Sequence, residues 1–265
     1  MDKFLQEIIK EAGGIAMGYF TKGVGHTTKS NLGDLLTEAD IAVSDFLVKQ
    51  IQNKYPDHHI HCEEIAEDIN PGAEFEWVID PIDGTRNFAM GVPFWCVTIA
   101  VMKGGQPFLG AVYNPLVDQL FFAEKGKGAL LNDKPIRVNN KDSIDYAFAC
   151  FHRANESGTY GDYIERYNVA AMRLIKDTNA WIHSYGSGAL AMCYLANGVI
   201  DFAAGNAGLD WDYIAPFLIA EEAGAIVTDS DGNPWKRGRQ DYVMANPNLH
   251  AKVLELFQPA EIEHG

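Results

Sequence analysis

Trp77-Val78-Ile79-Asp80-Pro81-Ile82-Asp83-Gly84-Thr85-Arg86-Asn87-Phe88 is the stretch on which the reading of this chain turns. An apolar run rich in β-branched residues enters it, Pro81 and Gly84 end the run, and two aspartates stand at the exit. The pattern predicts a buried strand that delivers carboxylates to its C-terminal edge. Carboxylate oxygens are hard ligands, so a close Asp pair with no nearby lysine suits Mg²⁺ or Mn²⁺ better than zinc. Pro81 stiffens the turn between the acids. Gly84 lets the backbone present N–H groups to an anion, and Thr85 adds a hydroxyl that orients a water. Asp-Pro and Asp-Gly are also ordinary turn dipeptides, but two acids, a glycine and a threonine on one strand end exceed what a turn requires. Metal, anion cradle and polarised water together point to phosphate chemistry.

Asp80-Pro81-Ile82-Asp83-Gly84-Thr85 resembles the signature of the inositol monophosphatase family, which are metal-dependent phosphomonoesterases. Further segments agree in order: Asp34-Leu35-Leu36-Thr37-Glu38-Ala39-Asp40, Glu63-Glu64, and Trp211-Asp212 followed by Glu221-Glu222-Ala223-Gly224-Ala225. The resemblance implies a mixed α/β (α+β) fold of α-β-α-β-α layers, with the site between two halves, 1–138 and 139–265. It implies that Glu63, Asp80, Asp83, Asp212 and the Ile82 carbonyl hold two or three Mg²⁺ ions, with Mn²⁺ a substitute. Asp40, hydrogen-bonded to Thr85, would hold the attacking water, which Glu63 helps to activate through one metal while another neutralises the leaving alkoxide. The Gly84 and Thr85 N–H groups would cradle the phosphate, and Asp83, Gly188 and Asp212 would also meet the substrate. In-line attack without a covalent phosphoenzyme, inhibition by lithium and a homodimer are further implications, and Lys29 matches a lysine in the family's active-site loop.

The bulk properties agree with a small-molecule enzyme. With 265 residues and 47% hydrophobic content the chain can bury a large core. Its 21 Lys+Arg stand against 36 Asp+Glu, a net charge of −15 that repels nucleic acid and anionic membranes. A small phosphorylated metabolite remains a fitting partner, because bound divalent cations invert the local potential. No apolar run is long enough for a membrane span, and the expectation is a cytoplasmic protein. Cys62, Cys96, Cys150 and Cys193 are scattered without C-x-x-C spacing and are expected to be reduced. Cys62 abuts Glu63, so its oxidation could disturb a metal there.

Along the chain, helical spacing predicts a helix over Phe4–Phe20, and Gly23 to Gly33 reads as a loop. Thr37 and Asp40 fit a capping box, a role compatible with catalysis because a cap fixes where the carboxylate points. His58, His59 and His61 crowd the next strand without the partner spacing of a transition-metal site. An antiparallel meander is predicted from Phe94 to Ala123. A break follows at Ser157 to Gly161, then a helix over Tyr163–Ile175. The half boundary is expected at the polar run Asn139-Asn140-Lys141-Asp142-Ser143. Trp181–Tyr185 and Val199–Ala203 read as strands, and Gly186-Ser187-Gly188 as a glycine-rich helix entry able to receive an anion or to pack closely. Asp212 falls in the first turn of a helix over Tyr213–Ala223, a position that also suits the helix dipole.

The substrate is less legible. Inositol-directed relatives carry a glutamate where this chain has Gly205, and Gly205-Asn206-Ala207-Gly208 holds no acid. Arg86 and Gly91-Val92-Pro93-Phe94-Trp95 are similar to members that hydrolyse histidinol phosphate, with Asp210 as a partner for an ammonium group. Fructose bisphosphate and nucleotide 3′-phosphates are further family substrates, and a non-catalytic phosphate- or metal-binding relative is the alternative from another class.

Overall fold

The structure is a computed structural model that describes residues 1–23, 26–28, 35–152, 163–206 and 208–258. Lys29, Asp34 and the break at Ser157–Gly161 therefore lie outside the described residues. Elements are numbered in chain order. The N-terminal part holds α1 (Asp2–Phe20), β1 (His26–Thr28), β2 (Leu35–Thr37), α2 (Glu38–Lys54), β3 (His59–Cys62), β4 (Phe75–Asp83) and α3 (Thr85–Ala89). A meander follows: β5 (Cys96–Lys103), β6 (Gln106–Asn114), β7 (Gln119–Glu124), β8 (Ala129–Leu131) and β9 (Lys134–Ile136). The remainder is β10 (Phe148–His152), α4 (Tyr163–Asp177), β11 (Trp181–His183), α5 (Gly188–Ala196), β12 (Phe202–Gly205), α6 (Asp210–Glu222), β13 (Ile226–Thr228), β14 (Tyr242–Ala245) and α7 (His250–Phe257).

Strands β3 to β9 form a seven-stranded sheet in sequence order, and a five-stranded sheet runs β11-β10-β12-β14-β13. The polar run at Asn139–Ser143 falls between the last strand of the first sheet and the first of the second. Strand alternation creates the layering. On β4 and β5, Trp77, Ile79, Val97, Ile99 and Val101 join the core under α1 and α2, whereas Val78, Cys96, Ala100 and Met102 join the core with α5 and α6. Side chains of a strand point alternately to opposite faces, so an unbroken apolar run signals a sheet covered on both sides. The five-stranded sheet meets α5 and α6 on its inner face and buries Ala149, Phe151, Phe202 and Val243 with α4 and α7 on its outer face. The result is the expected α-β-α-β-α sandwich.

One local feature brings the middle layer close to the first sheet. Gly110 on β6 faces the α6 backbone, where a Cβ would stand 2.8 Å from the Ala215 carbonyl oxygen. Pro216 lies inside α6 and has no N–H, so the Asp212 carbonyl, four residues earlier, loses its normal helical donor.

Some boundaries differ from the sequence reading. Part of the expected loop after α1 is a strand, with His26–Thr28 antiparallel to Leu35–Thr37. The strand expected at Val199–Ala203 begins at Phe202, because the Val199 and Ile200 N–H groups turn back to the Tyr194 carbonyl at 2.9 and 3.3 Å and close α5. The strand expected to reach Tyr185 ends at His183, just before Gly186 takes φ +77°. No helix among the described residues is long and apolar enough to cross a membrane.

Candidate active site

Residues three apart on a regular strand point to opposite faces, so Asp80 and Asp83 cannot converge without an irregularity. The irregularity is present. Asp80 pairs with Thr98 and Asp83 with Cys96, which leaves two residues of β4 opposite one of β5. A bulge of this kind bends the strand and re-aims the side chain beyond it. One oxygen each of Asp80, Asp83 and Asp212 then lie within 4.8 Å of one another.

Each of these carboxylates is anchored through one oxygen. Asp80 Oδ1 accepts the Ile82 N–H at 2.9 Å. Asp83 Oδ2 accepts the Ser187 hydroxyl and, at 3.0 Å, the Ala189 N–H, with the Cys96 thiol at 3.6 Å. Asp212 Oδ2 accepts the Leu209 N–H at 2.6 Å, the half of a capping box that an N-terminal helical acid supplies. The Gly186-Ser187-Gly188 entry to α5 thus receives the protein's own Asp83 carboxylate.

Asp40 combines both roles expected of it. Its Oδ2 closes a capping box with the Thr37 N–H and hydroxyl, at 2.8 and 2.5 Å, while its Oδ1 accepts the Thr85 hydroxyl at 3.3 Å. The same hydroxyl lies 3.0 Å from the Ile82 carbonyl oxygen. Gly84 sits at φ +94°, where a Cβ would also meet Ser187 Cβ at 3.0 Å and the Gly186 carbonyl at 3.2 Å. Only glycine satisfies both constraints. Glu63 follows β3, and its N–H bonds the Ile79 carbonyl at 3.1 Å.

The electrostatics suit a cation. Burial pushes the Asp80 carboxyl well above the usual carboxylate range, and the charges of Glu63, Asp212, Asp83 and Asp40 push it the same way. Asp83 is pushed by burial to about 6, although its bonds from Ser187, Ala189 and Cys96 oppose the rise. Buried oxygens that repel one another within 4.8 Å fit a hard divalent ion, so the residues present match the Mg²⁺ expectation in their donor chemistry.

Several candidates lie elsewhere. His58 accepts the Trp77 indole N–H at 3.0 Å, and His59 and His61 both bond Asp68 at 2.8 Å. Trp95, a basis for the histidinol phosphate reading, is fully buried between Phe20 and Phe88, and Asp210 is taken by Arg237 and the Gly238 N–H. Gly205 has its own structural reason: it pairs with Tyr242, and a Cβ there would lie 2.2 Å from the tyrosine ring. Beside it, burial lowers the His152 imidazole to about 4, so this wall carries no added charge near neutrality. Sequence reading placed Ser187 in an anion-receiving helix entry without its Asp83 partner, and missed Cys96 and Thr98, whose hydroxyl bonds the Trp211 carbonyl at 2.9 Å. The signal for Ser187 was its place between two glycines at a helix start; for Cys96 and Thr98 it was only their pairing with the two acids.

Five layers with a carboxylate cluster at the meeting of β4 and α6 define a class of α/β protein whose acidic centre could hold a metal ion. Within that class, the Inositol monophosphatase family profile matches residues 1–261. The chain therefore belongs to the inositol monophosphatase family, a superfamily of metal-dependent phosphatases. It is 34% identical over 253 residues to "Nus factor SuhB" of Pasteurella multocida, covering 92% of this chain and 90% of that one. It is 29% identical over 262 residues to "Fructose-1,6-bisphosphatase/inositol-1-monophosphatase" of Thermotoga maritima, covering 99% and 97%. The solved structure of extragenic suppressor protein suhB from Bartonella henselae superimposes with a TM-score of 0.90 at 25% identity, covering 97% and 98%.

Proposed function

We propose that the protein is a Mg²⁺-dependent phosphomonoester hydrolase acting on small phosphorylated metabolites, with inositol 1-phosphate among them. The observation that carries this reading is the convergence of Asp80, Asp83 and Asp212 beside the Asp40–Thr85 hydrogen bond. Glu63, Asp80, Asp83, Asp212 and the Ile82 carbonyl are the groups that would hold the ions. Divalent cations supply Lewis acidity to a phosphoryl centre and its attacking and leaving oxygens.

The chain's own groups do the rest. Asp40, its second oxygen fixed by the cap, orients the Thr85 hydroxyl, and this pair positions a water for in-line attack while Asp40 takes up its proton. Glu63 supports the same water from the other strand. The Gly84 and Thr85 N–H groups hold the phosphoryl oxygens. Asp83, Gly188 and Asp212 face the alcohol, and the uncharged wall of Gly205, His152 and Tyr242 gives a polyol no carboxylate to prefer. Broad specificity with a modest preference for inositol 1-phosphate follows. The relative named Nus factor leaves a macromolecular role as a second reading, against which the net charge of −15 opposes direct contact with nucleic acid.

The test is a phosphatase assay with and without Mg²⁺ on inositol 1-phosphate, fructose 1,6-bisphosphate, histidinol phosphate and a nucleotide 3′-phosphate. Mg²⁺-dependent release of phosphate from several of these supports the reading. No turnover of any ester with Mg²⁺ or Mn²⁺ overturns it.

A further inference from the structure

Arg237 lies in a segment that supplies none of the acids of the site, yet it spans two elements that do. Its Nη1 and Nη2 bond the two oxygens of Glu76 at 2.7 and 2.8 Å, a bidentate fork, and its Nε bonds Asp210. Glu76 lies on β4, four residues before Asp80. Asp210 is the first residue of α6, two before Asp212. Glu76 is 8% exposed, and besides Arg237 its carboxylate has His59 Nδ1 3.6 Å away. The Gly238 N–H adds a bond to the other oxygen of Asp210 at 3.2 Å.

The first turn of α6 depends on outside ties of this sort. Pro216 removes the donor that would bond the Asp212 carbonyl within the helix. One residue earlier, the Trp211 carbonyl accepts the Thr98 hydroxyl of β5 at 2.9 Å. Thr98 fixes this turn toward the sheet, and Arg237 fixes its lateral position relative to β4. A guanidinium suits the task because its planar fork engages a carboxylate in one orientation, whereas an ammonium is a point charge free to swivel.

We propose that Arg237 is a positioning residue of the metal site, setting the separation between Asp212 on α6 and the Asp80/Asp83 pair on β4. The proposal rests on the divalent-cation reading above and adds to it a residue outside the acid cluster that tunes metal affinity. Groups that orient ligands from outside the first coordination layer typically change metal affinity by roughly 10- to 100-fold when removed.

The test measures Mn²⁺ binding to the full chain by electron paramagnetic resonance of the free ion, without substrate, and in parallel the Mg²⁺ dependence of phosphatase turnover. Arg237→Ala is expected to raise the Mn²⁺ dissociation constant about tenfold and to move the Mg²⁺ half-saturation point likewise, with much of the turnover regained at saturating Mg²⁺. Arg237→Lys should fall between Arg237→Ala and wild type. Adding Glu76→Gln to Arg237→Ala should cost little more, because both remove one link. Lys125→Ala, which breaks an exposed ion pair with Glu221 at the far end of α6, serves as control and should leave Mn²⁺ binding unchanged. If Arg237→Ala does not fold, Arg237→Lys and Glu76→Gln decide. Folded Arg237 variants with wild-type Mn²⁺ affinity overturn the positioning role alone. A wild-type chain that binds no Mn²⁺ overturns the metal-site reading itself.

Discussion

The seven-stranded sheet brings Asp80 and Asp83 to the site on its own backbone, at the C-terminal end of β4. The five-stranded sheet brings polar groups to the acids through helices stacked on it: α5 offers Ser187 and Ala189 to Asp83, and α6 offers Asp212. Strand-borne acids gain their precision from the ladder and one bulge. The helix-borne acid gains it from bonds at a helix end, which are fewer and more exposed. On the proposed reading, the first sheet would fix where a cation sits, and the second how well the coordination closes.

The largest test of that contrast removes one charge from each side. Asp83→Asn and Asp212→Asn are both expected to lower kcat/KM by roughly a thousandfold or more, with the fold intact by circular dichroism, and a chelator should silence the wild type. Turnover unaffected by chelator would remove the basis of the comparison.

The next effect concerns the water-positioning pair. Thr85→Ala and Asp40→Asn should each reduce kcat about a hundredfold with little change in KM, and the double variant should be hardly worse than either single one. Additive losses in a complete cycle would show Asp40 to be a helix cap and nothing more.

Packing between the layers provides a smaller test, read as stability. Gly110→Ala forces a methyl to within 2.8 Å of the Ala215 carbonyl oxygen and should destabilise the fold by about 1–3 kcal/mol in denaturant titration. Gly14→Ala, at an exposed position of α1 with open space around it, should stabilise by about 0.5–1 kcal/mol. Equal outcomes would mean that close contact between α6 and the first sheet is dispensable.

The smallest expected effect is a pH dependence of the metal-free protein. Asp83 is protonated more readily in the folded state, at about 6, than its ordinary 3.8. A group raised in this way stabilises the fold fully below its unfolded value, and the benefit disappears as pH rises through the folded value. The contribution of the site to thermal stability should thus decline from about pH 4 to about pH 6 without metal and should flatten when Mg²⁺ is added. A decline that persists unchanged in Asp83→Asn would assign it to other groups.

Much of this was legible because the relevant signals are local. Apolar runs marked β4 and β5, and the Thr37/Asp40 spacing announced a capping box that exists as read. The bulge was not legible: nothing in Asp80-Pro81-Ile82-Asp83 states which strand will oppose it, and only pairing with Thr98 and Cys96 reveals the extra residue. Trp95 looked like a recognition residue by its neighbours in sequence, but burial against Phe20 and Phe88 is a long-range outcome. Gly205 read as a missing acid, whereas in space it makes room for Tyr242, a partner 37 positions later in the chain. Asp210 read as a ligand contact because its guanidinium partner lies in a distant segment.

Asp83 is joined to Ser187 and Ala189 across 104 and 106 residues of chain. The antiparallel meander can zip from neighbouring segments, but this junction needs a long loop to close first, a slow step in folding kinetics. Chains arrested before the second half docks would hold three acids, Glu63, Asp80 and Asp83, with neither the Ser187 and Ala189 donors nor Asp212. Competence to capture a cation would then appear late, as a checksum on finished folding. Metal capture during refolding should lag behind formation of the first sheet, which makes Mn²⁺ uptake a kinetic marker for the last docking event.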